Sequence, residues 1–263
     1  MITRSIDHQY TYEGRTYPGV TGILKVLDKS GPLMSWAARQ TAEAALAMHG
    51  DRDILPAEAT DIGYPLYSAS SLDRLIDTVG KEGAVKALTS RSAWKNDEAK
   101  DLGTEVHDLA DRINRGEKWI ASDWPTATKV RVEHYRTWLA SSGWNVKISE
   151  AYILSPKGGY GGTLDILARD RDGRAVLADI KTGKGVYRET VLQLAAYGMA
   201  ELIQPVGAQQ AFPMPAVDRY VVLHVTATGV REIEVPIGDA DRQAFYACMN
   251  LTAWSDAQKG RAL

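Results

Sequence analysis

The most restrictive feature of this sequence is a polar turn, Asp170-Arg171-Asp172-Gly173, set between two short apolar runs at 163–168 and 175–180. An Asp-Gly turn flanked by such runs signals a hairpin. A turn centred on Asp172 leaves Asp165 and Asp179 seven residues to either side. They then stand opposite each other on one face, as direct cross-strand neighbours. Leu164, Ile166, Ala178 and Ile180 surround them, so both strands read as buried. Two carboxylates placed this way repel unless a cation lies between them. A slip of one residue would send them to opposite faces.

The rest of the chain builds around that hairpin. Tyr10, Tyr12 and Tyr17 alternate about the turn Glu13-Gly14-Arg15 and predict a short N-terminal hairpin. Helices are expected over 33–48, 71–88, 97–115 and 125–140, with Gly50, Gly116 and Gly143 as stops and a loop over 51–70. After Gly143 the period changes to that of strands, with one around Val146, Ile148 and 152–154. A helix over 190–202, a hairpin over 219–226 and 230–235, and a closing helix over 239–254 complete the reading. This order predicts a mixed α/β core behind an N-terminal helical region, divided as 1–96 and 97–263.

Composition bounds the function classes. The chain has 263 residues, with 31 Lys+Arg against 33 Asp+Glu and a net charge of -2, so charge alone points to no partner. The single Cys248 excludes an internal disulfide, a thiolate zinc cage and a four-thiolate iron–sulfur cluster. It also makes a reducing cytoplasm the expected compartment. No apolar run approaches the ~20 residues that span a bilayer, and the first residues lack the apolar segment of a secretory signal.

Strand alternation puts Lys181 on the face of Asp179. Two acids and one base at a strand end, all hard ligands or charges, suit Mg²⁺ or Mn²⁺ rather than Zn²⁺. Such an ion offsets charge on a phosphate oxygen while the Lys181 ammonium steadies the transition state, which is the chemistry of phosphodiester hydrolysis. Glu98-Ala99-Lys100 has the same spacing but sits in a charged helical segment and reads as a solvated face. Asp108 and Asp111 are expected to face solvent. The glycines at 158, 159, 161 and 162 lack the phosphate-loop pattern and read as turn residues leading into a strand. Trp138 and Trp254 fall in helical patterns and are assigned to the core, whereas Trp36 and Trp94 are candidates for base stacking.

The informative signal is an ordered set: Gly103-x-x-x-His107, Glu150, Gly162-Thr163-Leu164-Asp165, Asp179-Ile180-Lys181-Thr182-Gly183, then Gln193-x-x-x-Tyr197. In that order the chain resembles the PD-(D/E)XK nuclease superfamily, in particular its RecB-like branch, which includes many phage exonucleases. The match runs from Gly103 to Tyr197. The resemblance implies a restriction-endonuclease-like core, a central mixed β-sheet flanked by helices. It implies metal ligation by His107, Asp165, Asp179 and the backbone carbonyl of Ile180, with Lys181 as the catalytic lysine. Gln193 and Tyr197 would brace the site and contact nucleic acid. Glu150 matches an acid that some members place beside the metal or a second metal. Many relatives hold an iron–sulfur cluster on four cysteines, which this chain cannot.

The expected activity is that of a Mg²⁺- or Mn²⁺-dependent DNA exonuclease acting at duplex ends or on single strands, with the N-terminal helices forming one wall of the DNA channel. Lys184 and Arg188 are candidates to line the groove, since a near-neutral protein needs local cations to hold a polyanion. The resemblance suggests phage or bacterial recombination, replication or repair, with a recombinase or a single-strand-binding protein as further partner and room for a toroidal oligomer. A structure-specific endonuclease using the same site is the alternative among enzymes. A catalytically silent DNA-binding partner of a recombinase is the alternative outside them.

Overall fold

The computed structural model describes residues 1–27, 30–48, 72–118, 123–183 and 185–259. The expected loop over 51–70 and the candidate groove residue Lys184 lie outside these residues. The chain opens with a three-stranded antiparallel sheet, β1 (Thr3–Arg4), β2 (Tyr10–Tyr12) and β3 (Arg15–Tyr17), followed by a short α1 (Val20–Ile23). Two long helices come next, α2 (Ser30–Met48) and α3 (Leu72–Asn114), then α4 (Thr126–Ser142). Strands β4 (Asn145–Ser155), β5 (Tyr160–Arg169) and β6 (Ala175–Lys181) lead to α5 (Arg188–Gly198). The chain closes with β7 (Leu202–Pro205), β8 (Phe212–Pro213), β9 (Arg219–Thr226), β10 (Gly229–Glu234) and α6 (Asp239–Gln258).

Seven of these strands form one mixed sheet in the order β10-β9-β6-β5-β4-β7-β8, in which only β6 and β9 run parallel. Helices cover both faces, giving an α/β architecture. On one side Leu177 and Val222 pack with Val20 and Ile23 of α1, Leu194 and Tyr197 of α5, and Phe245 of α6. On the other, Ile166, Ala178 and Val221 pack with Val106 and Leu109 of α3 and with Val132 and Tyr135 of α4. Both faces are covered, so β6 reads Ala-Val-Leu-Ala-Asp-Ile without polar alternation, as expected of a strand buried on both sides.

The hairpin register is the one expected. Ile166 faces Ala178, and the pairing continues to Arg169 opposite Ala175. The turn is fixed by Asp170, whose Oδ1 accepts the amides of Asp172 and Arg174, each at 3.0 Å. Gly173 supplies the positive φ, +81°, that this closure needs. Extending the register by one residue sets Asp165 opposite Asp179.

Other expectations are corrected. The helices expected over 71–88 and 97–115 are joined in α3, and the break falls at Gly80, with φ 74° and ψ 168°. The intervening segment contains no Gly or Pro, and its hydroxyls turn back onto helix carbonyls, Thr89 onto Val85 at 2.9 Å and Ser90 onto Ala87 at 2.7 Å. The helix expected to reach residue 202 stops at Gly198, and Leu202 begins β7. Gly161 and Gly162 are strand residues of β5, not turn residues. A Cβ at Gly161 would lie 2.6 Å from the Tyr10 ring, and one at Gly162 would lie 2.6 Å from Tyr197. Trp138 stacks edge-on with Trp144 at 5.0 Å in the core, but Trp254 is exposed. The compact units are Met1–Leu27 with Leu102–Leu263, and Asp28–Asp101. Residues 1–27 belong with the central sheet because Tyr10, Tyr17 and Ile2 share a buried cluster with Leu154 of β4. Among the described residues no helix is long and apolar enough to cross a membrane.

Candidate functional site

One cavity of about 360 Å³ is lined by His107, Glu150, Asp165, Asp179, Lys181, Gln193 and Tyr197. They arrive from five elements, α3, β4, β5, β6 and α5. His107 follows the buried Val106 near the end of α3. That helix comes close to the loop after β6 at Gly103, where a Cβ would stand 3.4 Å from Thr182 Oγ1. Asp165 and Asp179 come from the paired strands β5 and β6, and Gln193 and Tyr197 lie one turn apart on α5.

Glu150 sits in β4 between Ser149, paired with Ile166, and Ala151, paired with Leu164. Its backbone is left-handed, φ 52°, and its carbonyl accepts the Val206 amide at 2.9 Å. A non-glycine residue held this way inside a sheet is strained, and such strain collects at functional positions.

His107, Glu150 and Asp165 each offer one ligand atom, and these atoms all lie within 4.8 Å of one another. His107 Nδ1 is 3.3 Å from Asp165 Oδ1, and Asp165 Oδ2 accepts the Ile180 amide at 2.6 Å. Ile180 itself is buried, with its side chain among the sheet residues packed against α3 and α4. Asp179 belongs to a second, adjoining group. Its Oδ2 is 2.7 Å from Lys181 Nζ, an ion pair whose angles fall outside hydrogen-bond alignment. Gln193 Nε2 donates to Asp179 Oδ1 at 2.9 Å and lies 2.8 Å from the Tyr197 hydroxyl, while its Oε1 accepts Lys181 Nζ at 3.2 Å. One amide therefore holds the acid, the lysine and the tyrosine together.

The electrostatics follow from this crowding. Burial pushes the Glu150 carboxyl up to about 8, helped by the neighbouring Asp165 charge. Burial would lower His107, but Asp165 beside it outweighs that and raises the imidazole to about 9. Burial would likewise raise Asp165, yet His107, Lys181 and the Ile180 amide hold it below its usual value. Asp179 is raised to about 6, chiefly by burial, against the opposing pull of Lys181. These shifts favour a neutral Glu150 beside the His107–Asp165 and Lys181–Asp179 pairs.

A cation fits this donor set. One imidazole and two nearby carboxylates make a potential metal-binding site. A positive charge among them would offset the burial and the Asp165 repulsion that together raise Glu150. With a single cysteine, a cysteine-held iron–sulfur cluster is excluded.

Some placements differ from those read in the sequence. Arg188 opens α5 in an exposed position and does not line the cavity. Asp108 lines it while remaining exposed. Asp111 does not face solvent as expected: it pairs with Arg115 at 2.7 Å, and its Oδ1 is buried without a hydrogen-bond partner. Arg4, His8 and Tyr10 from the N-terminal sheet also line the cavity, and no sequence pattern singled them out for it. The alternating tyrosines were the available signal, because Tyr10 anchors that sheet through its hydroxyl to Thr163 at 2.8 Å.

No family model and no curated protein matches the chain. Among solved structures the chain is similar to one described as "Crystal structure of SSO0001", with 15% identity and a TM-score of 0.29. The likeness covers 48% of this chain and 57% of that one, so the chain spans little more than half the length of that protein.

Proposed function

We propose that the protein is a Mg²⁺- or Mn²⁺-dependent deoxyribonuclease of the PD-(D/E)XK type, RecB-like or phage-like, acting at DNA ends or on single strands. The observation that supports this reading is the meeting, in one cavity, of the His107, Glu150 and Asp165 donors with the Asp179–Lys181–Gln193 group. These residues stand far apart in the sequence, yet the fold gathers them around one open space. Buried, perturbed groups in a cleft are a marker of chemistry.

The metal, when bound, supplies charge neutralisation at the phosphate and a more acidic water. His107, Asp165 and Glu150 would hold it, with Asp179 and the Ile180 carbonyl completing the set as the family resemblance suggests. Lys181 keeps its proton because Asp179 and Asp165 face it, so it presents a cation to the phosphate oxygen that gains charge. Gln193 fixes the direction of that ammonium, and Tyr197 fixes Gln193. DNA is the substrate this reading assigns; a recombinase or single-strand-binding protein would act beside it in recombination, replication or repair.

A time course on linear DNA labelled at each end in turn, single- and double-stranded, with Mg²⁺, Mn²⁺ or chelator, tests the reading. Metal-dependent release of nucleotides that disappears in Lys181→Ala is expected, with circular single strands left uncut. Cutting of the circle points to an endonuclease at the same site. DNA binding without hydrolysis in either metal would refute the enzymatic reading.

A further inference from the structure

The N-terminal sheet places a guanidinium and an imidazole on the wall of this cavity, and nothing in the fold requires them there. Arg4 Nη2 contacts both ring nitrogens of His8, and both residues line the cavity. The turn that carries them is closed without either side chain. The Ser5 amide donates to the Gln9 carbonyl at 2.9 Å, the His8 amide to the Ser5 carbonyl at 3.1 Å, and the Gln9 amide to Ser5 Oγ at 3.1 Å.

The placement is firm. Ile2 is buried, its amide donating to Gln204 Oε1 at 2.7 Å and its carbonyl accepting Gln204 Nε2 at 3.1 Å. Arg4 pairs across the sheet with Tyr10, whose hydroxyl meets Thr163, two residues before Asp165 on β5. The His8 carbonyl packs so closely on Gly19 that a Cβ there would come within 2.4 Å of it. Arg4 is therefore tied to the strand that carries a metal-site carboxylate, not left on a loose tail.

Its charge is available. Among the described residues no carboxylate forms an ion pair with Arg4, and its partner is an imidazole held neutral. Burial, then the Arg4 and Lys25 charges, keep His8 below its ordinary value. A neutral imidazole accepts from the guanidinium and leaves its remaining N–H groups free to donate. Arg donors in a fixed fork match a phosphate. The carboxylates on the cavity floor repel a polyanion, so a cation at the wall is where an approaching strand gains attraction.

We propose that Arg4, braced by His8, binds a backbone phosphate of the substrate strand other than the one attacked. This rests on the nuclease reading above. The test is fluorescence anisotropy with a labelled single-stranded oligonucleotide in chelator, over a series of salt concentrations, alongside the cleavage assay in Mn²⁺. Arg4→Gln is expected to weaken binding about 5- to 20-fold and to lower the log–log salt slope by about 0.7, the loss of one phosphate contact on a single strand. Arg4→Lys should keep the slope and recover part of the affinity. An unchanged melting temperature in Arg4→Gln separates a ligand contact from a structural brace.

Equal losses on 5′-phosphorylated and 5′-hydroxyl oligonucleotides assign an internal phosphodiester; a loss confined to the phosphorylated strand assigns a terminal monophosphate. If the wild type cuts DNA and Arg4→Gln binds with wild-type affinity and slope, the inference fails alone. If the wild type neither binds nor cuts DNA, the nuclease reading fails and the phosphate site falls with it.

Discussion

Gln193→Leu is the substitution that isolates the brace behind the candidate lysine. Leucine keeps the volume and removes every hydrogen bond that Gln193 makes. The bond to Asp179 Oδ1 spans 2.9 Å, ends on a carboxylate that is 2% exposed, and is the large one. Bonds to charged groups are worth about 1.5–3 kcal/mol, and the Tyr197 contact adds the ordinary ~1 kcal/mol. The 3.2 Å contact with Lys181 adds little, because that side chain is partly exposed. The expected loss is about 2–4 kcal/mol at neutral pH. The loss should also depend on pH. Asp179 titrates near 6 in the fold, and the Gln193 N–H favours its ionised form. Below that value the acid is protonated and only neutral bonds are lost; above it the buried anion loses its donor. Urea unfolding in chelator, at pH 5 and pH 8, measures both, with m held constant as the check on a common unfolded state. A change under about 0.5 kcal/mol, or one equal at the two pH values, would show that the amide does not hold Asp179.

Three further outcomes are expected. Gly162→Ala places a methyl 2.6 Å from the Tyr197 ring and 3.1 Å from Ile153, so a loss of about 1–3 kcal/mol in denaturant unfolding is expected. His224, buried beside Lys181 on β9, meets the Gly183 carbonyl at 2.7 Å and Arg231 at 3.2 Å. His224→Ala should cost about 1–3 kcal/mol and His224→Gln, which retains a donor, less, by the same assay. In metal-free protein both Glu150, near 8, and His107, near 9, lie above their ordinary values. Their stabilisation is complete below pH 4.5 and 6.5 respectively and is lost as pH rises through 8 and 9. Melting temperature in chelator should therefore fall between pH 6.5 and 9, while the increment from added Mn²⁺ grows, since the ion displaces those protons. An increment that shrinks with pH would contradict the assigned donors.

Much of the site was legible because it depends on strand register, and the Asp170–Gly173 turn writes that register into local sequence. Alternation then put Lys181 beside Asp179 with no further information. Helix ends were read less well. The expected helix over 71–88 contains Gly80, where the break falls, and the gap left between the two expected helices is helical, with the Thr89 and Ser90 hydroxyls bonded back onto helix carbonyls. The expected helix runs on to Leu202, which begins β7, because a short apolar run does not distinguish helix from strand by period alone. The roles of Gly161 and Gly162 were out of reach, since both answer to rings from distant segments, Tyr10 and Tyr197. For the same reason Arg4 and His8 could not be linked to the site: the link runs through Gln204 and Thr163, far along the chain.

The backbone of residue 150 sets stability and chemistry against each other. Glycine would occupy that left-handed conformation without a steric penalty and would also remove a carboxyl that folding keeps from ionising. Selection for heat resistance alone should accept Glu150→Gly readily, and the survivors would be sturdier proteins with one donor fewer for an ion. Any effort to harden this scaffold should screen metal uptake at every round, because at this position tolerance to heat and command of the ion pull in opposite directions.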